Sequence, residues 1–189
     1  MKFSACLAVV LFPLLVSSTA AHAVPTSQAG RACHLPGSEE PLRCLKVKVP
    51  LDYAAPAQTI EVHVTLAPAF RESARPDPLI ILAGGPGQAG SDLLPFLDTV
   101  FRRVRATRDI VFIDQRGTGL SGKLDCESTP AQEAMTEEQL QAEVIACIGR
   151  LKANYAAYGT ASAARDIEQV RQALGYAKVN LWGGSYGTR

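Results

Sequence analysis

Three short apolar runs, each with no polar alternation, constrain this chain most. They are "PLIILAG" (Pro78–Gly84), "DIVFIDQ" (Asp109–Gln115) and "VNLWG" (Val179–Gly183). A strand that is apolar throughout has both faces covered, which is the condition of strands in a parallel sheet. The intervals between them carry helical spacing. "SDLLPFLDTVFRRVRA" follows the first run, "TEEQLQAEVIACIGRLKANY" the second, and "ASAARDIEQVRQALG" leads into the third. Thr136 and Gln139 have capping-box spacing, and Gly175 is placed to end the last helix. Strand, helix, strand, helix, strand predicts an α/β layered fold with right-handed crossovers.

An earlier part reads differently. "CLKVKVPLDY" alternates Leu45, Val47 and Val49 against Lys46 and Lys48, and "TIEVHVTLAP" alternates through Ile60, Val62, Val64 and Leu66. Period-2 patterning separated by "AAPAQ" predicts an antiparallel strand pair ahead of the parallel strands. His63 falls on the polar side of that alternation and is expected at the surface.

The first residues are expected to be cut away. Lys2, the apolar "ACLAVVLFPLLVSS" and the small residues ending Ala21-His22-Ala23 form a secretory signal over residues 1–23. A membrane anchor needs about 20 continuous apolar residues, and Pro13 interrupts a shorter run. Residues 24–189 then form one domain, without a membrane anchor. Its 19 basic residues less Lys2 balance 18 acidic ones, so the charge gives no reason to expect nucleic acid as a partner. Export makes disulfides the default for Cys33, Cys44, Cys126 and Cys147. Four cysteines allow three pairings, and proximity favours Cys33–Cys44 and Cys126–Cys147. No C-x-x-C is present and His34 is the only imidazole nearby, so neither a metal nor another cofactor is expected.

The chemistry is concentrated after the apolar runs. Val179–Trp182 leads straight into Gly183-Gly184-Ser185-Tyr186-Gly187. G-x-S-x-G between strand and helix puts a serine on a sharp turn with its Oγ exposed. Gly183 and Gly187 leave room where strand and helix approach, and Gly184 keeps the turn uncrowded. Ser185 is the expected nucleophile. An attacking serine also needs donors for the oxyanion it creates, and "AGGPGQAG" (Ala83–Gly90) follows the first apolar run. There Gly84 and Gly85 can turn backbone N–H groups to a ligand, with Pro86 and Gly87 shaping the turn. The expected donors are the amides of Tyr186 and Gly85. "DQRGTGLSG" (Asp114–Gly122) reads as a prop for that loop, and Asp114 and Arg116 are close enough in sequence to pair.

"GGPG", "DQRGTGLSG", "DIEQVRQALG" and "LWGGSYGT", in that order, resemble the proline iminopeptidase and secreted tripeptidyl aminopeptidase branch of the α/β-hydrolase fold. The resemblance runs from about Cys44 to Arg189. It implies Ser185 as nucleophile, oxyanion donors from residues 84–87, and peptides with a free N-terminus as substrates, cleaved through an acyl-enzyme. The signal and the cysteine pairs point to secreted or periplasmic members. Ala83 stands where the iminopeptidase motif begins with His, which argues against strict proline specificity.

In this fold the triad acid and base follow the serine, and Ser185 is followed here only by Tyr186, Gly187, Thr188 and Arg189. The histidines are His22, His34 and His63, none placed by the family pattern as base. The expectation is the N-terminal portion of a secreted serine peptidase, inactive by itself, with Val179–Trp182 left as an exposed apolar edge. The alternatives are an esterase or lipase, which needs the same elbow and oxyanion loop, or a non-catalytic half-domain that binds a partner.

Overall fold

The structure, a computed structural model, describes residues 30–126 and 129–189. The signal expected over residues 1–23 lies outside the described residues. Six strands form one mixed sheet: β1 (Arg31–Cys33), β2 (Leu42–Pro50), β3 (Thr59–Ala67), β4 (Leu79–Leu82), β5 (Ile110–Ile113) and β6 (Asn180–Gly183). Their spatial order is β1-β2-β3-β5-β4-β6. The alternating segments form the antiparallel pair β2–β3, in a register that puts Val47 opposite Val62 and Leu45 opposite Val64. β3 pairs antiparallel with β5. β5, β4 and β6 are parallel, the geometry the apolar runs predict.

The two-sided burial of β4 and β5 follows from residue alternation. Ile80, Leu82, Val111 and Ile113 face one core with Val62, Val64, Val170 and Leu174. Ile81, Ile110 and Phe112 face the other with Leu42, Leu94, Leu97 and Phe101. The helix α3 (Thr160–Ala173) covers the first face through Val170, and Gly175 follows it at φ +74°, the left-handed position that ends a helix. The helix α2 (Glu137–Leu151) begins with the expected box: the Gln139 amide donates to Thr136 Oγ1, and the Thr136 amide donates to Gln139 Oε1. The cysteines pair as Cys33–Cys44, which ties β1 to β2, and as Cys126–Cys147, which ties α2 to the segment before it.

Two expectations need correction. Residues 91–106 do not make one helix but a 3-10 helix (Gly90–Phe96) and a single α turn, α1 (Arg102–Arg105). Pro95 has no N–H and disfavours helical geometry in the residue before it, so the apolar spacing there cannot be read as one continuous helix. β6 lies at the edge of the sheet with Leu181 58% and Trp182 40% exposed, the exposed apolar edge expected for Val179–Trp182. Trp182 nevertheless packs edge-to-face on Phe101, with ring centroids 5.3 Å apart. His63 is buried rather than superficial, since the segment after β5 folds over its side of the sheet and the Ser121 Oγ accepts the His63 amide at 2.7 Å.

Candidate active site

The ends of β4, β5 and β6 bring three glycine-bearing segments to one edge of the sheet, the edge at which open α/β sheets bind ligands. After β6 the chain turns through Gly184 into a short 3-10 helix, Ser185–Thr188. Ser185 takes φ +53°, a left-handed conformation that is costly for a residue with a Cβ, and its side chain is exposed. The turn is held by its neighbours. The Gly187 amide donates to the Gly184 carbonyl at 2.9 Å, and Thr188 Oγ1 donates to the Ser185 carbonyl at 2.7 Å. A methyl group at Gly187 would collide with the carbonyls of Leu82 and Ala83, and one at Gly183 with the backbone of Gly187. Glycine at these two places is what lets the turn sit down on the end of β4.

The segment after β4 lies against this turn. A Cβ on Gly84 would stand 3.2 Å from the Ser185 Cβ, so the two segments are in direct contact. Gly85 and Gly87 take φ +103° and +100° on either side of Pro86. The Gly84 amide is occupied by Gln88 Oε1 at 3.1 Å. The amides of Gly85 and Tyr186, by contrast, donate to no acceptor among the described residues. Two unengaged N–H groups therefore flank an exposed, strained serine. A cleft of about 130 Å³ lies beside the turn, lined by Gly84, Pro86, Gly87, Gln88, Tyr158 and Tyr186 among others.

Asp114 and Arg116 do not pair with each other. Asp114, fully buried at the end of β5, accepts the Ser91 amide at 2.8 Å, the Ser91 hydroxyl at 3.1 Å and the Leu120 amide at 2.9 Å. Arg116 turns the other way, to Asp166 of α3. Its remaining N–H groups reach the carbonyls of Pro50, Leu51 and Ala157, and Tyr53 donates to Asp166 Oδ1 at 2.8 Å. Burial and the Asp166 carboxylate push the Tyr53 phenol well above its ordinary pKa, so it remains a donor. Arg116 thus locks together the β2–β3 turn, the segment after β5 and α3, and Asp114 ties down the segment after β4.

No imidazole among the described residues serves Ser185. His63 lies on β3, three strand spacings from β6 or roughly 14 Å, with its ring bonded to Thr65 Oγ1 at 3.2 Å. Burial lowers its pKa, partly offset by the charge of Asp114. His34 follows β1 at the opposite edge of the sheet. No cluster of metal-ligating side chains occurs among the described residues.

Sequence reasoning missed Gln88, Ser91, Tyr53 and Asp166. Only Asp166 carried a signal, a charge in the 166, 170, 174 register that α3 turns inward with Val170 and Leu174.

Residues 77–189 match the family model for the alpha/beta hydrolase fold. The chain belongs to that family. Over 77% of its length it is 30% identical to the serine protease Hip1 of Mycobacterium tuberculosis (strain ATCC 25618 / H37Rv), of which it covers 31%. It is 30% identical over 79% of its length to the tripeptidyl aminopeptidase of Streptomyces coelicolor, again covering 31% of that protein. It is 32% identical over 69% of its length to carboxylesterase B of Mycobacterium tuberculosis (strain CDC 1551 / Oshkosh), covering 29% of it. The chain therefore spans about a third of the length of the curated relatives it matches.

Proposed function

We propose that this α/β-hydrolase chain carries the nucleophile and the oxyanion site of an exported serine peptidase that removes residues from peptides with a free N-terminus. The observation that carries the reading is Ser185: an exposed hydroxyl at φ +53°, in a glycine-framed turn, between the unengaged amides of Gly85 and Tyr186. In the proposed reaction the Ser185 oxygen attacks the scissile carbonyl carbon while its proton passes to a general base. The carbonyl oxygen becomes an oxyanion, held by the two amides. The C–N bond then breaks, the leaving amine takes the proton, and water hydrolyses the acyl-enzyme. The base and its carboxylate partner would come from the region of the relatives that this chain does not span.

The aminopeptidase reading draws on the likeness to the serine protease and tripeptidyl aminopeptidase relatives and on the four motifs by which the sequence resembles that branch. Export is supported by the two disulfides, which belong to oxidising compartments. No helix among the described residues is long and apolar enough to cross a membrane. The carboxylesterase B relative favours a second reading, ester hydrolysis at the same serine.

The test uses the intact natural protein. A fluorophosphonate probe should label wild type and not Ser185→Ala, and peptides with a free N-terminus should be cleaved while their N-acetylated forms are spared. Cleavage of short acyl esters alone would move the assignment to the esterase reading, and labelling of Ser185→Ala would remove the nucleophile.

A further inference from the structure

The segment from Gly85 to Asp92 carries one of the two proposed oxyanion donors, yet little holds it. Within the segment, the Ala89 amide donates to Asp92 Oδ2 at 3.0 Å and the Asp92 amide to the Ala89 carbonyl at 3.2 Å. Gln88 reaches back only to the Gly84 amide. Among the described residues, the hydrogen bonds that leave residues 85–92 for another element come from one residue, Ser91. Its amide and its hydroxyl both donate to Asp114, one to each carboxylate oxygen.

Asp114 is a firm post. It is fully buried, its own amide donates to the His63 carbonyl at 3.1 Å, and its carbonyl accepts Ser121 Oγ at 2.5 Å. A side chain at Gly119 would collide with its carboxylate and with Ala89, and one at Gly90 with Ile113, so the segment is seated without slack at this end. At the other end it leaves β4. The Gly85 amide hangs between these two fixings, with left-handed φ on Gly85 and Gly87 and no other hydrogen bond to orient it.

We infer that Ser91 is a positioning residue for the oxyanion site, whose fork of hydrogen bonds to the Asp114 carboxylate fixes where the Gly85 N–H points. The inference rests on the hydrolase reading proposed above. Ser91 touches neither substrate nor oxyanion. Its hydroxyl supplies the half of the fork that a side-chain change can remove, while its amide keeps the chain attached. A charge-assisted pair of this kind holds direction as well as distance, and a donor shifted by about 1 Å can cost on the order of a hundredfold in rate.

The experiment compares Ser91→Ala, Ser91→Thr and Ser185→Ala in the intact protein. Readouts are kcat, KM, the affinity for a boronic acid that mimics the tetrahedral intermediate, and the melting temperature. Ser91→Ala should lose roughly tenfold to a hundredfold in kcat, with KM within about twofold, since the lost interaction acts in the transition state. Boronate affinity should weaken by a similar factor, and Ser91→Thr, which keeps the hydroxyl, should restore both. A Ser91→Ala protein with unchanged kcat and boronate affinity overturns the inference while Ser185→Ala stays inactive. So does a kcat loss that Ser91→Thr fails to rescue, or one matched by a large fall in melting temperature with boronate affinity unchanged. Full turnover by Ser185→Ala removes the hydrolase reading and this inference together.

Discussion

The guanidinium of Arg116 grips the carboxylate of Asp166 through two hydrogen bonds, 2.7 Å from Nε and 2.6 Å from Nη2, with both side chains almost wholly withdrawn from solvent. Removing one partner of such a pair leaves a buried charge unanswered, which costs about 3–5 kcal/mol. Asp166→Asn should therefore lower the unfolding free energy by an amount in that range, read as a fall in the urea midpoint. Arg116→Lys should do nearly as much damage, because an ammonium cannot span Asp166 and the carbonyls of Pro50, Leu51 and Ala157 together. A midpoint unchanged in both variants would show that the lock contributes nothing net.

The strain at Ser185 gives a second expectation. A serine at φ +53° costs roughly 1–2 kcal/mol that glycine does not. Ser185→Gly should then be more stable than Ser185→Ala, which keeps the Cβ, by about 1 kcal/mol, although neither variant turns over substrate. Gly187→Ala should fail in the opposite way. Its new methyl has no room against Leu82 and Ala83, so the turn must lift and both stability and turnover fall. Equal unfolding midpoints for Ser185→Gly and Ser185→Ala would mean that the serine conformation is not strained in solution.

What the sequence made legible was what depends on local pattern. The alternation of β2 and β3 fixed their register, since a slip by one residue would turn Val47 and Val62 outward. The unbroken runs of β4 and β5 matched strands with a core on each face. Gly183 and Gly187 were readable because each removes a specific collision. Relations between distant segments were not legible in this way. Asp114 and Arg116 stand two residues apart, a spacing that suggests a pair, but their side chains leave the strand end in different directions and find Ser91 and Asp166. His63 reads as superficial on its own strand because nothing in that strand announces the segment 58 positions later that covers it. β6 shows the limit of an apolar run as a signal: the run reports what a strand is suited to pack against, not what lies beside it.

That burial of His63 makes stability depend on pH. Its folded pKa is lowered from the ordinary 6.5 by desolvation, so the unfolded chain binds the proton more readily. Stability from this group is present above pH 6.5 and is lost as pH falls toward the folded value, with a slope of at most about 1.4 kcal/mol per pH unit for one proton. The nearby Asp114 and Lys46 charges act in opposite senses and leave burial in control. Urea midpoints measured from pH 7.5 to 5 should fall more steeply for wild type than for His63→Gln. Parallel slopes would mean that His63 is solvated in solution.

The disulfide Cys126–Cys147 yields the last expectation. Cys147 is the only fully buried residue of α2, whose Leu140, Val144, Ile145 and Ile148 are exposed. A 15-residue helix with so little tertiary contact is marginal on its own in water. Its capping box helps at one end, and the covalent link to Cys126 holds it from the middle of its last two turns. Cutting that link in a Cys126→Ser, Cys147→Ser protein should leave α3 and the β2–β3 pair as protected from amide hydrogen exchange as before, while α2 exchanges nearly as fast as an unstructured peptide. The other disulfide should behave differently, because Cys33–Cys44 reinforces a strand pairing that already has hydrogen bonds, Arg31 to Cys44 among its registers. Protection of α2 that survives removal of Cys126–Cys147 would show that packing, not the bridge, keeps that helix in place.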